Sequence, residues 1–347
     1  MKLLLLTNSS SGGGAEKVFN SLVDGFTKHS SCEIKHLYLK ESSASKLWKV
    51  SGFFKFIYLV LKFKPDVVQS HLLYPNIINS FLSIFMRYKS QLVCHSSFER
   101  FQRSRNAYII RLAYKKASSI VCISEEMQRQ ARVFLSRDDI EKIYNPHDLK
   151  DYQDLSSKDV SPVPFQSFLI SVGRLVESKR IKDILLALQA CNKKKNLVIV
   201  GDGDAREDLI VLAKKLDIED RVFFAGHSSN PYPYIINSEA MLLASETEGF
   251  PNCLVESLAL GVPIITTNCK TGPAEILRVS YEDDVLRRPY PNCSIYPVGD
   301  IDSLVNAIDS LDDMCVDTEQ LKSLVSHLDL KDVIDLYYSS LQRLRNS

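Results

Sequence analysis

At 347 residues the chain is too long for one ordinary hydrophobic core and fits two domains, and its 45% apolar and 24% charged residues are the composition of a soluble globular protein. A net charge of +1 hides an asymmetry: residues 1–150 hold 23 Lys and Arg against 12 Asp and Glu, and residues 151–347 hold 20 against 30. Eight scattered cysteines without a C-x-x-C pair exclude a disulfide frame or a zinc site of that type and read as reduced thiols of a cytoplasmic protein.

Lys2–Thr7 reads as a first strand, because its Leu3–Leu6 centre is too short for a secretory signal. Ser9-Ser10-Ser11-Gly12-Gly13-Gly14 then opens a helix, with glycines that let backbone N–H groups approach a phosphate or a sugar. A dinucleotide fingerprint fails, since residue 17 is Lys where G-x-G-x-x-G needs glycine. A tight turn without a ligand is the plainer alternative. Short β-rich runs at Glu33–Leu39, Asp66–His71, Gln91–His95, Ser119–Ser124 and Glu141–Tyr144 alternate with helical stretches. That alternation predicts a mostly parallel sheet covered on both faces.

Between Lys46 and Lys116 thirteen basic residues meet two acidic ones, Asp66 and Glu99. Lys46, Lys49, Lys55, Lys62 and Lys64 interleave with Trp48, Phe53, Phe54, Phe56 and Tyr58, and Arg100, Arg103, Arg105, Arg111, Lys115 and Lys116 follow. Basic residues among aromatics predict an anionic membrane surface as partner of residues 46–116. Nucleic acid, or a solvated helix face over ordinary core, are the alternatives. No apolar run approaches the ~20 residues of a bilayer span. His95 closes a strand, where it can bind a sugar hydroxyl or assist proton transfer, or serve only structure; His71 is a weaker candidate.

Asn145-Pro146-His147 ends the first domain, residues 1–150, and the polar stretch 151–166 predicts a linker. Strands at Phe168–Val172, Leu197–Val200, Val222–Ala225, Met241–Ala244 and Pro263–Thr267 then build a second domain, 167–320. A final helical region, 321–347, is a candidate to pack back on the first domain. The fold class is therefore α/β, with two doubly wound parallel-sheet, Rossmann-like domains facing a cleft, an arrangement suited to two substrates.

Chemistry concentrates in the second half. Gly173-Arg174 closes a strand and Lys179 lies just before a helix, so two cations can neutralise a departing diphosphate. Asp202-Gly203-Asp204 admits a divalent cation, but a glycine turn after a strand explains it more simply. Glu248 and Glu256 flank Phe250-Pro251-Asn252-Cys253, where Pro251 suits the first turn of a helix. Glu248 thus falls at the carboxyl edge of a strand beside a helix N-terminus, where N–H groups suit an anion and carboxylates suit sugar hydroxyls.

In Ser171-Val172-Gly173-Arg174-Leu175 with Lys179, Val198 to Gly203, Asn230 to Tyr234, Glu248 to Asn252 with Glu256, and Thr271 to Leu277, the chain resembles the retaining glycosyltransferases of family 4, which have the GT-B fold. Gly13-Gly14-Ala15-Glu16 and His95 resemble the family more loosely. The resemblance implies that Arg174 and Lys179 hold the donor diphosphate, Glu256 the ribose, and Glu248 the transferred sugar. It implies that N–H groups of Phe250, Asn252 and Cys253 fix sugar and phosphate. It also assigns Gly13 and Gly14 to the diphosphate, His95 to the sugar, and Val222 and Phe223 to the base. Glu248, His95, Arg174 and Lys179 are the implied catalytic set, with neither metal nor cofactor. Two departures stand out: Ala274 where a related subgroup has arginine, and Glu177-Ser178-Lys179 in place of Gln-Lys.

The Thr-Gly-Pro-x-Glu-Ile-Leu form is similar to bacterial enzymes of O-antigen, capsule and polyprenyl-diphosphate glycan synthesis. The resemblance implies a UDP-sugar donor, a lipid-linked saccharide acceptor, no nucleic acid, and a peripheral location on the inner face of the cytoplasmic membrane. A UDP-sugar epimerase of the same architecture and a nucleic-acid-binding protein are the rival readings.

Overall fold

A computed structural model describes residues 1–10, 13–40, 47–158, 162–280, 287–290, 293–311 and 316–347. The chain divides into two compact units, one formed by Met1–His147 with Leu328–Ser347 and the other by Asp148–His327.

The first unit carries strands β1 (Lys2–Thr7), β2 (Glu33–Tyr38), β3 (Val67–His71), β4 (Lys89–Cys94), β5 (Ser119–Cys122) and β6 (Ile140–Lys142). They pair in parallel in the order β2-β1-β3-β4-β5-β6. Leu3 to Leu6 are wholly buried, the mark of a parallel strand covered on both faces. Between the strands run α1 (Gly14–His29), α2 (Trp48–Phe63), α3 (Leu73–Phe85), α4 (Phe98–Gln102), α5 (Ala107–Lys116) and α6 (Glu125–Leu135). The order reverses between β1 and β3, so right-handed crossovers set α2, α3 and α5 on one face and α1 on the other.

The second unit opens with α7 (Leu149–Ser156) and carries β7 (Leu169–Val172), β8 (Leu197–Val200), β9 (Val222–Gly226), β10 (Met241–Leu243), β11 (Ile264–Thr267), β12 (Arg287–Tyr290) and β13 (Cys293–Tyr296). Their order is β12-β13-β11-β10-β7-β8-β9, with β12 antiparallel to β13 and the other pairs parallel. Helices α8 (Ile181–Ala190), α9 (Arg206–Lys215), α10 (Tyr232–Ile236), α11 (Asn252–Ala259), α12 (Pro273–Ile276), α13 (Ile301–Asp309) and α14 (Thr318–Val325) complete it. Here the order reverses between β7 and β10. The last helix, α15 (Leu330–Asn346), belongs to the first unit and packs on α1, so closely that a Cβ on Gly25 would lie 2.6 Å from Ile334.

Two expectations need correcting. The stretch 151–166, expected as linker, begins inside a helix: the Asp148 carboxylate accepts the Asp151 N–H at 3.1 Å and caps α7, and Tyr152 buries its ring. The helical region 321–347 is two pieces. α14 stays with the second unit, and a 3-10 turn at Ser326–Leu328 followed by the Asp329 cap starts α15 in the first. Apolar residues run on through Leu321, Leu324, Leu328 and Val333, so periodicity hides the break.

Backbone bonds lace the loops that follow β7, β8 and β9. Gly173 N–H meets Val200 O at 3.0 Å, Leu175 N–H meets Asp202 O at 2.9 Å, and Gly201 N–H meets Gly226 O at 2.8 Å. A Cβ on Gly201 would overlap the Gly173 carbonyl oxygen. Gly201→Ala is therefore expected to cost about 2 kcal/mol or more. At Gly13, among the described residues, a Cβ would meet nothing nearer than Glu16 Oε2 at 3.5 Å. Gly13→Ala should leave the midpoint of urea unfolding almost unmoved while Gly201→Ala lowers it clearly.

Candidate functional site

The reversal between β7 and β10 creates a crevice at the strands' carboxyl ends, the usual ligand position in an open α/β sheet. Lys179, in a 3-10 turn after β7, forms an ion pair there with Glu248, in the loop after β10. Their side chains are 22% and 10% exposed. Ser245 Oγ donates to the same carboxylate oxygen at 2.6 Å, and Thr271 Oγ1 donates to the Glu248 backbone carbonyl. Glu246 N–H bonds Ser178 O at 2.9 Å, and Thr267 Oγ1 donates to Ser245 O at 2.7 Å. Loops from β7, β10 and β11 thus meet at one residue, the first two at its carboxylate and the third at its backbone. A Cβ on Gly272, at φ +98°, would strike the Pro251 ring, so only glycine lets the β11 loop close over Phe250-Pro251.

Arg174 is exposed at the end of β7 and makes no ion pair among the described residues. Phe250 is buried, and Asn252 and Cys253 form the first turn of α11. Burial, then the neighbouring Glu248, pushes the Cys253 thiol up to about 12, and Cys269 likewise to about 12. Both stay protonated and unsuited to nucleophilic attack. Asp202 caps its own loop, accepting the Gly203 N–H at 2.8 Å, and no group of three metal-binding side chains occurs among the described residues.

Glu256 lies deeper, 4% exposed. The rings of Tyr152 on α7 and Tyr232 on α10 stack 4.6 Å apart, and burial followed by the nearby Glu256 charge raises both phenols far above their usual range. Sequence reasoning missed this tyrosine pair, as it missed Ser245 and Thr271. The assignment of Val222 and Phe223 to the base needs correction. Val222 starts β9, packs in the core and lies four residues before Gly226, roughly 13 Å from the strand's carboxyl end. Phe223 follows directly, three residues before Gly226 and roughly 10 Å from that edge.

In the first unit the reversal falls between β1 and β3. Gly13 caps α1 there and Gly14 begins it; Ser11 and Gly12 lie outside the described residues. His71 ends β3, and its Nδ1 lies 2.9 Å from Nε2 of His95, which follows β4. Leu72 has φ 72° and ψ 160°, a conformation that strains any side chain and that recurs at functional sites. Burial holds His95 down to about 4 and, with help from His95, His71 well below its usual range.

The basic segment resolves into a surface. Phe56 is core, and Trp48, Phe53 and Ile57 pack against it. Leu47, Val50, Phe54, Tyr58 and Leu61 recur at helical spacing on the outer face of α2, all more than half exposed, among exposed Lys49, Lys55, Lys62 and Lys64. Lys46 lies outside the described residues. Phe85 at the end of α3 and Tyr108 and Ile109 on α5 extend exposed apolar area on the same face of the sheet. No described helix is long and apolar enough to cross a membrane.

Two Rossmann-like units with these strand orders are the architecture of GT-B glycosyltransferases. The "Glycosyltransferase Family 4" model matches residues 12–151 and the "Glycosyl transferases group 1" model matches residues 156–314. The chain belongs to glycosyltransferase family 4 and is an enzyme of that class. An uncharacterised glycosyltransferase of Methanocaldococcus jannaschii is 29% identical over 70% of this chain and 66% of its own length. The Campylobacter jejuni N-acetylgalactosamine-N,N'-diacetylbacillosaminyl-diphospho-undecaprenol 4-alpha-N-acetylgalactosaminyltransferase is 28% identical over 84% of this chain and 93% of its own. Among solved structures, Anabaena HepE in complex with UDP-glucose superposes with a TM-score of 0.79, at 18% identity, over 99% of this chain and 100% of its own.

The lowered histidines carry a prediction about stability. Unfolded histidines take up protons near pH 6.5, whereas folded His95 resists until about 4 and buried His147 until about 3. The contribution of these two rings is therefore constant above pH 7 and is lost progressively as pH drops from 6.5 towards 4. Thermal unfolding across that range should show the midpoint of the first unit declining; a constant midpoint down to pH 4.5 would contradict the buried neutral rings.

Proposed function

We propose that the enzyme moves a hexose or N-acetylhexosamine from a UDP-sugar, with retained anomeric configuration, to a hydroxyl of a polyprenyl-diphosphate-linked saccharide in surface-polysaccharide synthesis. The observation that carries this reading is the Lys179–Glu248 pair at the β7/β10 reversal, with Arg174 exposed in the same loop after β7 and the first turn of α11 following the loop of Glu248. Cations and a helix N-terminus there suit a diphosphate, and a held carboxylate suits sugar hydroxyls. The name of the Campylobacter relative supports a lipid-diphosphate acceptor and an N-acetylhexosamine, and the UDP-glucose bound to the Anabaena neighbour supports a uridine donor.

In this mechanism the bond from the anomeric carbon to the diphosphate oxygen breaks as the acceptor oxygen bonds on the same face. The departing diphosphate takes the acceptor proton, and Arg174 and Lys179 stabilise its growing charge. Phe250, Asn252 and Cys253 fix the donor through backbone N–H groups, Gly13 and Gly14 approach the diphosphate, and His95 meets the sugar. Glu256, backed by the tyrosine pair, takes the ribose. No protein nucleophile and no metal is required.

Lys179→Ala and Arg174→Ala should each lower kcat by about 10²- to 10³-fold. Transfer assays with UDP-sugars on lipid-diphosphate acceptors, with the product's anomeric centre read by NMR, test the whole reading. Full turnover by Glu248→Ala, or an inverted product, overturns it.

The apolar and basic face of α2 supports peripheral attachment to the inner face of the cytoplasmic membrane. Each lysine near an anionic surface contributes about 1 kcal/mol. Replacing Lys49, Lys55, Lys62 and Lys64 with Gln, or Phe54 and Tyr58 with Ser, should weaken sedimentation with phosphatidylglycerol vesicles by tenfold or more on that scale. Unchanged sedimentation of both variants removes the membrane from the proposal.

A further inference from the structure

A line of polar side chains crosses the interior of the first unit from His95 to α15. His71 Nδ1 lies 2.9 Å from His95 Nε2, and His71 Nε2 lies 3.3 Å from Gln69 Oε1. Gln69 Nε2 donates to Gln91 Oε1 at 2.6 Å, and Gln91 Nε2 donates to Ser340 Oγ at 2.9 Å. Ser340 Oγ donates to Glu141 Oε1 at 2.7 Å, and Arg343 holds the other carboxylate oxygen at 2.6 Å. Gln69, Gln91, His71 and Ser340 are buried, while the Glu141–Arg343 pair reaches the surface.

Only one polarity satisfies every link. The Glu141 carboxylate, paired with Arg343, is an acceptor with no proton of its own. Ser340 must therefore spend its hydroxyl proton on Glu141, and its lone pairs remain to accept from the Gln91 amide. That orients Gln91 with its carbonyl oxygen toward Gln69, and Gln69 in turn with its oxygen toward His71. His71 Nε2 carries the donated proton. A buried neutral ring has a single N–H, so His71 Nδ1 is a lone pair and His95 Nε2 must donate to it. His95 Nδ1 is left as a lone pair, and no described residue bonds it.

We infer that Glu141, acting through Ser340, Gln91, Gln69 and His71, fixes His95 as the Nε2–H tautomer, so that His95 offers substrate a hydrogen-bond acceptor at Nδ1. This atom recognises a hydroxyl or amide N–H and rejects a phosphate oxygen or carbonyl. Glu141, Ser340, Gln91, Gln69 and His71 are positioning residues, each acting on substrate only through His95. The assignment deepens the proposed function and rests on its placement of His95 at the donor sugar.

Long-range proton–nitrogen NMR of the full chain labelled with 15N-histidine reads the tautomer directly, with His95 assigned from the signals lost in His95→Asn. In the native protein His95 should show a protonated Nε2 and an unprotonated, pyridine-type Nδ1. Ser340→Ala removes one link, and Glu141→Gln supplies an amide donor that permits the reverse polarity. Both should give mixed tautomers at His71 and His95, and Ser340→Thr should restore the native pattern. A native His95 protonated at Nδ1, or unchanged tautomers in both disrupting variants, overturns the inference. With a UDP-sugar donor, the disrupted variants should lose about two- to tenfold in kcat, the worth of a neutral hydrogen bond. A tautomer change without any change in turnover upholds the relay and instead removes His95 from the sugar in the proposed function.

Discussion

A carboxylate that is nine-tenths buried needs a partner, and the second unit is organised around meeting that need for Glu248. Lys179 supplies the charge, Ser245 a hydroxyl and Thr271 a tether on the backbone. Each comes from a different strand's loop: the side chain draws the ends of β7 and β10 together, and the backbone tether adds β11. A lone buried ion would cost several kcal/mol, whereas the assembled set converts that penalty into a fixed geometry. Fixed geometry is also what transition-state stabilisation requires, because donors already in place need no reorganisation when charge develops.

The first unit solves a related problem by other means. Gln69, Ser70 and His71 of β3 and Ser90 and Gln91 of β4 are polar and wholly buried, and each of these finds a partner within the interior. Asn76 and Asn79 of α3 complete the pairing by bonding Ser70 and the carbonyls of Val93 and Val68. Buried polar groups with partners rigidify a core, and here they do so beneath the histidine that follows β4. The outer face carries the opposite compromise: aromatic and aliphatic side chains of α2 remain in water among lysines.

Much of this was legible in the sequence. Parallel strands buried on both faces appear as short apolar runs, so Lys2–Thr7 and Leu197–Val200 are placed to the residue. Arg174, Lys179 and Glu248 stand at strand ends because strand, loop and helix signals bracket them. Pairwise geometry was not legible: Lys179 and Glu248 are far apart in the chain, and Gln91 meets Ser340 across most of its length. The glutamines inside Val67–His71 and Lys89–Cys94 were nonetheless a signal, since an amide in a buried strand must have a partner. Val222 shows the reverse lesson. Its position at the amino end of a strand was readable, and only the family resemblance drew it toward the base.

The first unit is closed by the last segment of the chain. Val333, Ile334, Tyr337 and Leu341 of α15 are almost wholly buried, and His147 and Leu328 bond each other where the chain leaves and re-enters that unit. A ribosome delivers residues in order, so the intervening unit emerges complete while the earlier one still lacks its final helix. The nascent protein must therefore hold an unfinished amino-terminal body, greasy along α1 and the back of β3 and β4, until α15 has been made. A premature stop just after His327 would spare the later-made half and strand the earlier-made one in a chaperone-dependent state.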